Sequence, residues 1–124
     1  MSSLAIIINL NFYIMAGKTF KNNSTHYING TLLIRQGTNI QLPSLEQGFS
    51  LDVGEEKYIE YGDSTNIYLN GLVLQYKDET SQSMSTDRQE VIATGVSPTF
   101  DWVLNTHSSI TINSTKGLDI SASN

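Results

Sequence analysis

The chain has 124 residues, a formal net charge of −5 and no cysteine, so we expect one domain without disulfides, thiol nucleophiles or zinc-thiolate sites. Its seven basic residues are scattered singly, which excludes a basic stripe for nucleic acid. Ser, Thr and Asn make up 38 residues and Ile outnumbers Ala thirteen to four, a composition that favours strands over helices.

Residues 1–17 carry no charged side chain and include the most apolar stretch of the chain. The stretch has neither the basic start of a secretory signal nor the about 20 apolar residues of a membrane-spanning helix. It fits a strand whose alternate positions form one apolar face, consisting of Ile6, Ile8, Leu10, Phe12 and Ile14. An uncharged strand without proline is typical of a segment that pairs with another chain, and equally of a covered first strand.

We therefore divide the chain into residues 1–17, an apolar N-terminal strand and candidate assembly segment, and residues 18–124, a β-sandwich domain. Met15 is an alternative start, which would make the preceding residues an extension. An ordered extension has to pack against its own domain or a neighbouring subunit.

Short alternating runs separated by turn residues follow. Strands are predicted over residues 31–35, 49–53 and 57–61, each of them closed by a glycine within two residues. The strongest local signal is the Asn70-Gly71 pair inside the apolar run of residues 67–74. Asn-Gly supplies the two left-handed residues of a type I′ turn, so we predict a hairpin there.

The polar residues 77–88 are predicted to form a long surface loop or a mobile hairpin tip, and residues 89–93 a further strand. After a break at residues 95–98 the alternation resumes. It predicts a strand with one core-facing side, formed by Phe100, Trp102 and Leu104.

A last hairpin is predicted across residues 114–117. The total is eight to ten short strands at the spacing typical of sandwiches and barrels. We therefore predict an all-β fold, a two-sheet antiparallel β-sandwich of jelly-roll or immunoglobulin-like type. The sequence has no internal repeat, which disfavours propellers.

Groups suited to catalysis are few. The two histidines are His26 and His107, and a triad of His107, Asp101 and a serine can be drawn, but no nucleophile motif accompanies it. The acids of residues 52–63 could serve a glycosidase or Ca²⁺, yet we interpret them as solvated turn residues. We predict no enzyme, no cofactor and no metal site.

Charge is distributed unevenly along the chain. Residues 1–45 contain three basic residues and no acid, whereas residues 46–124 contain four basic and all twelve acidic residues, a net charge of −8. Such asymmetry can orient a subunit against a charged partner. We favour the alternative interpretation, interior early strands followed by solvated later loops.

The leading functional hypothesis is a non-catalytic structural or surface subunit that self-associates through its apolar N-terminal strand. The alternative is a lectin-like module that binds glycans through loop side chains. Its candidate ligand residues are Tyr58, Tyr61, Asp63, Asn66, Tyr68 and Tyr76. The expected partners are further copies of the chain or glycans, without nucleic acid and without a transmembrane segment. An exposed or extracellular surface suits this composition at least as well as the cytoplasm.

Overall fold

The computed structural model describes residues 16–124. The predicted apolar strand lies almost wholly outside the described residues, and so do its five assembly positions, Ile6, Ile8, Leu10, Phe12 and Ile14. The described part of the chain contains eight strands and one short helix, which are β1 (Ala16–Asn22), β2 (Ile28–Ile34), β3 (Leu45–Leu51), β4 (Glu56–Tyr61), β5 (Leu69–Asp78), β6 (Ser83–Glu90), α1 (Phe100–Asn105), β7 (Ser109–Ser114) and β8 (Asp119–Ser123).

The strands form two four-stranded sheets in a sandwich-like arrangement, which confirms the predicted all-β, two-sheet class. Sheet A has the order β4-β1-β7-β8, and sheet B has the order β3-β2-β5-β6. Sheet B is antiparallel throughout, but sheet A is mixed because β1 and β7 run parallel. The prediction of two antiparallel sheets was therefore wrong for sheet A. Only a short hairpin forces neighbours to be antiparallel, and β1 and β7 are joined by a long passage through the other sheet.

Side chains at alternate positions of the strands are buried between the two sheets, and most of these side chains are apolar. In β1, for example, Lys18, Phe20 and Asn22 are buried, whereas Lys21 is exposed. The side chains that are fully buried in the shared core include Phe20, Ile28, Leu32, Leu51, Leu72, Leu74, Ile110 and Ile112.

The register of the strands defines two ends of the sandwich. Ala16 pairs with Tyr61, and the chain then passes from β4 into β5, whose first residue Leu69 pairs with Ile34. The upper end therefore comprises the start of β1, helix α1 and residues 35–44, 62–68 and 91–99. The lower end comprises the connections at residues 23–27, 52–55, 79–82 and 115–118.

The Asn70-Gly71 pair is not a hairpin turn but lies inside β5, so this prediction was wrong. The register with β2 shifts at this point, because Gly71 pairs with Leu33 while Leu69 pairs with Ile34, and Asn70 is left as the extra residue of a bulge. Gly71 does not adopt the left-handed backbone that a type I′ turn requires.

The strand predicted for Phe100, Trp102 and Leu104 is helix α1, so this prediction was also wrong. The Thr99 hydroxyl caps the helix by accepting a hydrogen bond from the backbone N–H of Trp102 at 3.2 Å. Phe100 and Leu104, four residues apart, both pack on the core, whereas Trp102 is half-buried and meets the His107 ring edge-on at 4.5 Å. The four apolar residues at positions 100, 102, 103 and 104 of this six-residue run suit either period.

Most of the polar stretch of residues 77–88 lies in strands β5 and β6, and only residues 79–82 form the turn between them. Strand β6 is polar because it is an edge strand with most of its side chains exposed. The strand predicted over residues 89–93 ends at Glu90, and Val53, predicted in a strand, lies in the β3–β4 turn. The strands at residues 31–35 and 57–61 and the last hairpin are confirmed to within a few residues.

Gly71 is required by close packing rather than by a turn. A methyl group at Gly71 would lie 2.6 Å from the carbonyl oxygen of Gln89 and 2.8 Å from Leu33 Cδ1, whereas at Gly48, also in sheet B, the nearest atom would be 4.0 Å away. We expect Gly71→Ala to lower the free energy of unfolding by about 1–3 kcal/mol, the usual cost of overpacking. Gly48→Ala should change it by less than about 0.5 kcal/mol. Urea denaturation of the two variants, compared with the unsubstituted chain, measures both; equal losses would contradict the close packing at Gly71.

Candidate functional site

A buried arginine organises the upper end of the sandwich. Arg35 follows β2 directly and is only 4% exposed. Its Nε donates a hydrogen bond to Asn70 Oδ1 at 2.9 Å, and its Nη2 donates to the Leu69 carbonyl oxygen at 3.1 Å and to Asp101 Oδ1 at 2.6 Å. The guanidinium also lies 5.4 Å from the centre of the Tyr68 ring. Arg35 thus joins the end of β2 to the β5 bulge and to helix α1.

The anionic partner, Asp101, sits in the first turn of α1. Its Oδ1 also accepts a hydrogen bond from Asn105 Nδ2 at 2.9 Å, and the Asn105 amide in turn bonds both backbone groups of Leu69. Partial burial works against ionisation of Asp101, but the hydrogen bonds from Arg35 and Asn105 outweigh it and lower the pKa of this carboxyl below its usual range. We call Arg35, Asn70, Asp101 and Asn105 the upper polar cluster.

Three members of the upper polar cluster, Arg35, Asp101 and Asn105, form one wall of a cleft of about 370 Å³, whose other walls include Thr38, Tyr68, Thr94 and Thr106. The cluster's own hydrogen-bonding capacity is largely satisfied by its members and the β5 backbone. These hydrogen bonds join β2, β5 and α1 and occupy the Asp101 carboxylate, whereas a catalytic carboxylate must be free to take or give a proton. The sequence signal that could have found it is the arginine at the end of the apolar run of residues 31–35.

The structure does not assemble the triad that could be drawn around His107. The carboxylate of Asp101 is bound to Arg35, while His107 Nδ1 lies 3.3 Å from the Val103 carbonyl oxygen and 3.2 Å from the Thr106 hydroxyl. His107 therefore has helix C-terminal groups as its neighbours and lacks the carboxylate that would orient a general base.

Three of the acidic residues in the range 52–63 serve local turns, whereas Glu56 and Glu60 are exposed on β4. Glu55 Oε1 accepts a hydrogen bond from the Asp52 N–H, and Asp63 accepts from the N–H groups of Thr65 and Asn66. These backbone hydrogen bonds lower the pKa of Asp63. Among the described residues, no group of three acidic or histidine side chains is placed to hold a metal ion.

The six predicted ligand residues do not share one site. Tyr58 is 62% exposed on the outer face of sheet A, and its ring lies over Gly17. Tyr61 is buried in the core. The remaining four divide between the two ends: at the upper end Asn66 bonds Asp63 and Tyr68 faces Arg35, whereas Tyr76 lies toward the lower end.

At the lower end Tyr76 and His26 support each other. The Tyr76 hydroxyl donates to Asp87 Oδ2 at 2.6 Å, which raises the pKa of Tyr76 to about 12. The ring of His26 lies 5.0 Å from the Tyr76 ring, and its Nδ1 is 2.9 Å from the Thr115 hydroxyl. A second cleft, of about 260 Å³, opens beside these two rings. We call it the lower cleft.

Several exposed apolar side chains belong to the upper end. Nine large apolar side chains of the described residues are exposed; four of them lie in the connections of the upper end, and Leu45 is the first residue of β3, beside that end. We call these five residues the upper apolar surface, Leu42, Leu45, Ile67, Ile92 and Val96. Ile92 is 90% exposed and Val96 78%, and both belong to the segment between β6 and α1. Sequence reasoning missed this surface because residues 89–93 were predicted to form a strand, whereas β6 ends at Glu90.

Comparison with models of protein families, with curated proteins and with solved structures finds no match to this chain. Within residues 16–124, no helix is long and apolar enough to cross a membrane.

The upper polar cluster gives a direct test by substitution. Asp101→Asn removes the charge that balances a nearly buried guanidinium, so we expect the free energy of unfolding to fall by about 3 kcal/mol. The matched control is Glu90→Gln, which breaks an ion pair with Arg88 whose side chains are both 50% exposed. That change should cost less than about 1 kcal/mol because the pair is solvated. Chemical denaturation measures both, and similar losses would show that Arg35 needs no carboxylate.

The lowered pKa of Asp101 predicts that the stability of the fold depends on pH. Because folding lowers the pKa of Asp101, ionised Asp101 stabilises the fold fully above the unfolded pKa of about 4, and this contribution is lost as the pH falls through the lower folded pKa. The difference in stability between the unsubstituted chain and Asp101→Asn should therefore be constant near neutral pH and should shrink below about pH 4. Thermal melts from pH 7 down to pH 2 would show it; a difference independent of pH would contradict this role for the charge.

Proposed function

We propose that the chain is a non-catalytic β-sandwich subunit that associates with copies of itself at the upper end. The observation that carries the proposal is that the upper apolar surface lies at the end where residues 1–15 join β1. Single exposed apolar residues are ordinary on a protein surface, whereas several that share one end with an uncharged apolar segment are typical of an interaction site.

The position of the apolar N-terminal segment in the chain also points to the upper end as the site of association. Ala16 pairs with Tyr61 at the top of sheet A, so the uncharged chain of residues 1–15 connects to the sandwich there. The proposed contact joins the apolar face of Ile6, Ile8, Leu10, Phe12 and Ile14 of one copy with the upper apolar surface of another. Burying each large apolar side chain would contribute about 1.5–3 kcal/mol.

The sheet edges offer a second kind of contact. Strands β3 and β6 are the two edges of sheet B, and each has one side without a strand partner among the described residues. The edge at β3 is bridged to sheet A by Gln47 Nε2, which donates to the Glu60 carbonyl oxygen at 2.7 Å. The β6 edge leads into the exposed segment of Ile92, so strand addition at this edge and apolar burial beside it would reinforce each other.

The absence of catalysis and the finer fold type, jelly-roll or immunoglobulin-like, are parts of this proposal. What supports a non-catalytic role is that Asp101, the acid nearest to His107 in the sequence, has its carboxylate committed to Arg35. An exposed location of the subunit stays a proposal on composition alone.

Assembly is tested with three forms of the full chain. Ile92→Asp places a charge in the upper apolar surface, and Val53→Asp is its matched control, since Val53 is 55% exposed at the lower end. We expect the unsubstituted chain and Val53→Asp to sediment as oligomers. Ile92→Asp should raise the dissociation constant by about tenfold or more, the effect of losing a central apolar contact. Analytical ultracentrifugation across a range of concentrations measures this.

Deletion of residues 2–14 completes the test, with circular dichroism to establish folding. A folded monomer is the expected result. The proposal fails if the unsubstituted chain stays monomeric at every concentration, or if the two aspartate variants behave alike. A truncated chain that unfolds as a monomer would show instead that the segment belongs to its own core.

A further inference from the structure

The lower cleft has the features of a small-molecule site that the proposed assembly does not use. It lies where the β1–β2 loop meets β2 and β5, on the opposite end of the sandwich from the upper apolar surface. Its volume of about 260 Å³ is enough for one sugar ring. Its surface is largely apolar, with polar groups at the rim, as in most ligand pockets.

Two amide side chains face the cleft side by side. Asn29 of β2 pairs directly with Gln75 of β5, and both are exposed, so their side chains stand next to each other on the same face of sheet B. Within residues 16–124 neither amide takes part in a side-chain hydrogen bond. The Tyr76 hydroxyl, in contrast, is committed to Asp87. The cleft therefore presents hydrogen-bonding groups that the fold itself does not use.

An aromatic ring borders the same cleft. Tyr27 is 51% exposed and directly precedes β2, two residues before Asn29. A sugar ring has an apolar C–H face, which packs on an aromatic ring, and hydroxyl groups, which both donate and accept hydrogen bonds. Side-chain amides also donate and accept, so they match hydroxyls better than a carboxylate or an ammonium group does.

The charges at the rim favour a neutral ligand. Lys77 and Glu79 are the two charged residues that line the cleft, and their opposite charges leave the lining itself without a net charge. We propose that the lower cleft binds a neutral saccharide unit, with Tyr27 as the stacking surface and the Asn29 and Gln75 amides as its hydrogen-bonding pair.

The probe is an array of immobilised neutral oligosaccharides, screened with the full chain and followed by calorimetric titration of the strongest binder. Tyr27→Ala and Gln75→Ala should each weaken binding by about tenfold, as expected for the loss of a central stacking or hydrogen-bonding contact. Tyr58→Ala is the matched control, because Tyr58 is 62% exposed on the other sheet and should leave the affinity unchanged.

The array result and the variants give distinct outcomes. Absence of binding to every neutral oligosaccharide overturns the proposal, and so does an equal loss in Tyr58→Ala. Binding to acidic glycans that falls steeply with added salt would contradict the neutral class, because only charged ligands are screened in this way. Tyr27 and Gln75 are exposed, so their variants should keep the melting temperature of the unsubstituted chain and report on binding rather than folding. The assembly measured by ultracentrifugation is independent of these outcomes.

Discussion

The interior guanidinium of Arg35 is the constraint on which the upper half of the sandwich depends. Transfer of such a charge out of water costs several kcal/mol unless a counter-charge and hydrogen-bond acceptors replace the water. The fold supplies them from two other parts of the chain, the β5 bulge through Asn70 and Leu69, and helix α1 through Asp101. The β5 bulge and helix α1 thus share one role, because each supplies groups that bind the Arg35 guanidinium.

This constraint links the fold to the proposed association. The segment of residues 91–99, which carries two of the five side chains of the upper apolar surface, runs from the end of β6 to α1. Its first residue and its middle are held close to the polar cluster, because Val91 N–H donates to the Asn70 carbonyl oxygen and Gly95 N–H donates to Asp101. A surface displayed by such a segment is pre-organised, which lowers the entropy that association must overcome.

The two ends of the sandwich are thus suited to different tasks. The upper end combines satisfied interior polar groups with exposed apolar side chains, whereas the lower cleft combines a partly exposed ring with unused amides. The two proposals therefore place self-association at one end of the domain and a small ligand at the other, so that the two would not compete.

Alternation of apolar and polar residues was enough to predict the class of fold and several strands, because β2, β4 and the β7–β8 hairpin bury one face in the expected way. Local signals failed where a distant partner decided the structure. Asn70-Gly71 has the sequence of a turn, but pairing with β2 and β6 and the bond to Arg35 hold it in a bulge.

The same applies to the short helix and the candidate sites. The periodicity of a six-residue run is too short to distinguish a strand from a helix. The N-terminal cap by Thr99 and the contact of Asp101 with Arg35 stabilise the helical conformation of α1. The predicted ligand residues were chosen as tyrosines and loop amides, yet Tyr61 is interior. The pairing of Asn29 with Gln75 depends on strand register, which a sequence without a correct topology does not reveal.

Amide hydrogen exchange of the unsubstituted chain and of Asp101→Asn is the most direct test of the central role of Arg35. Removal of the counter-charge should speed exchange at the upper end, at the N–H groups of Leu69, Val91 and Val103, which bond to Asn105, Asn70 and Thr99. Exchange at the lower end, as reported by the N–H groups of Asn23 and Gly54, should accelerate less, because only global unfolding and not local opening of the upper end exposes these groups. Equal acceleration at both ends, or no change at the upper end, would contradict the account.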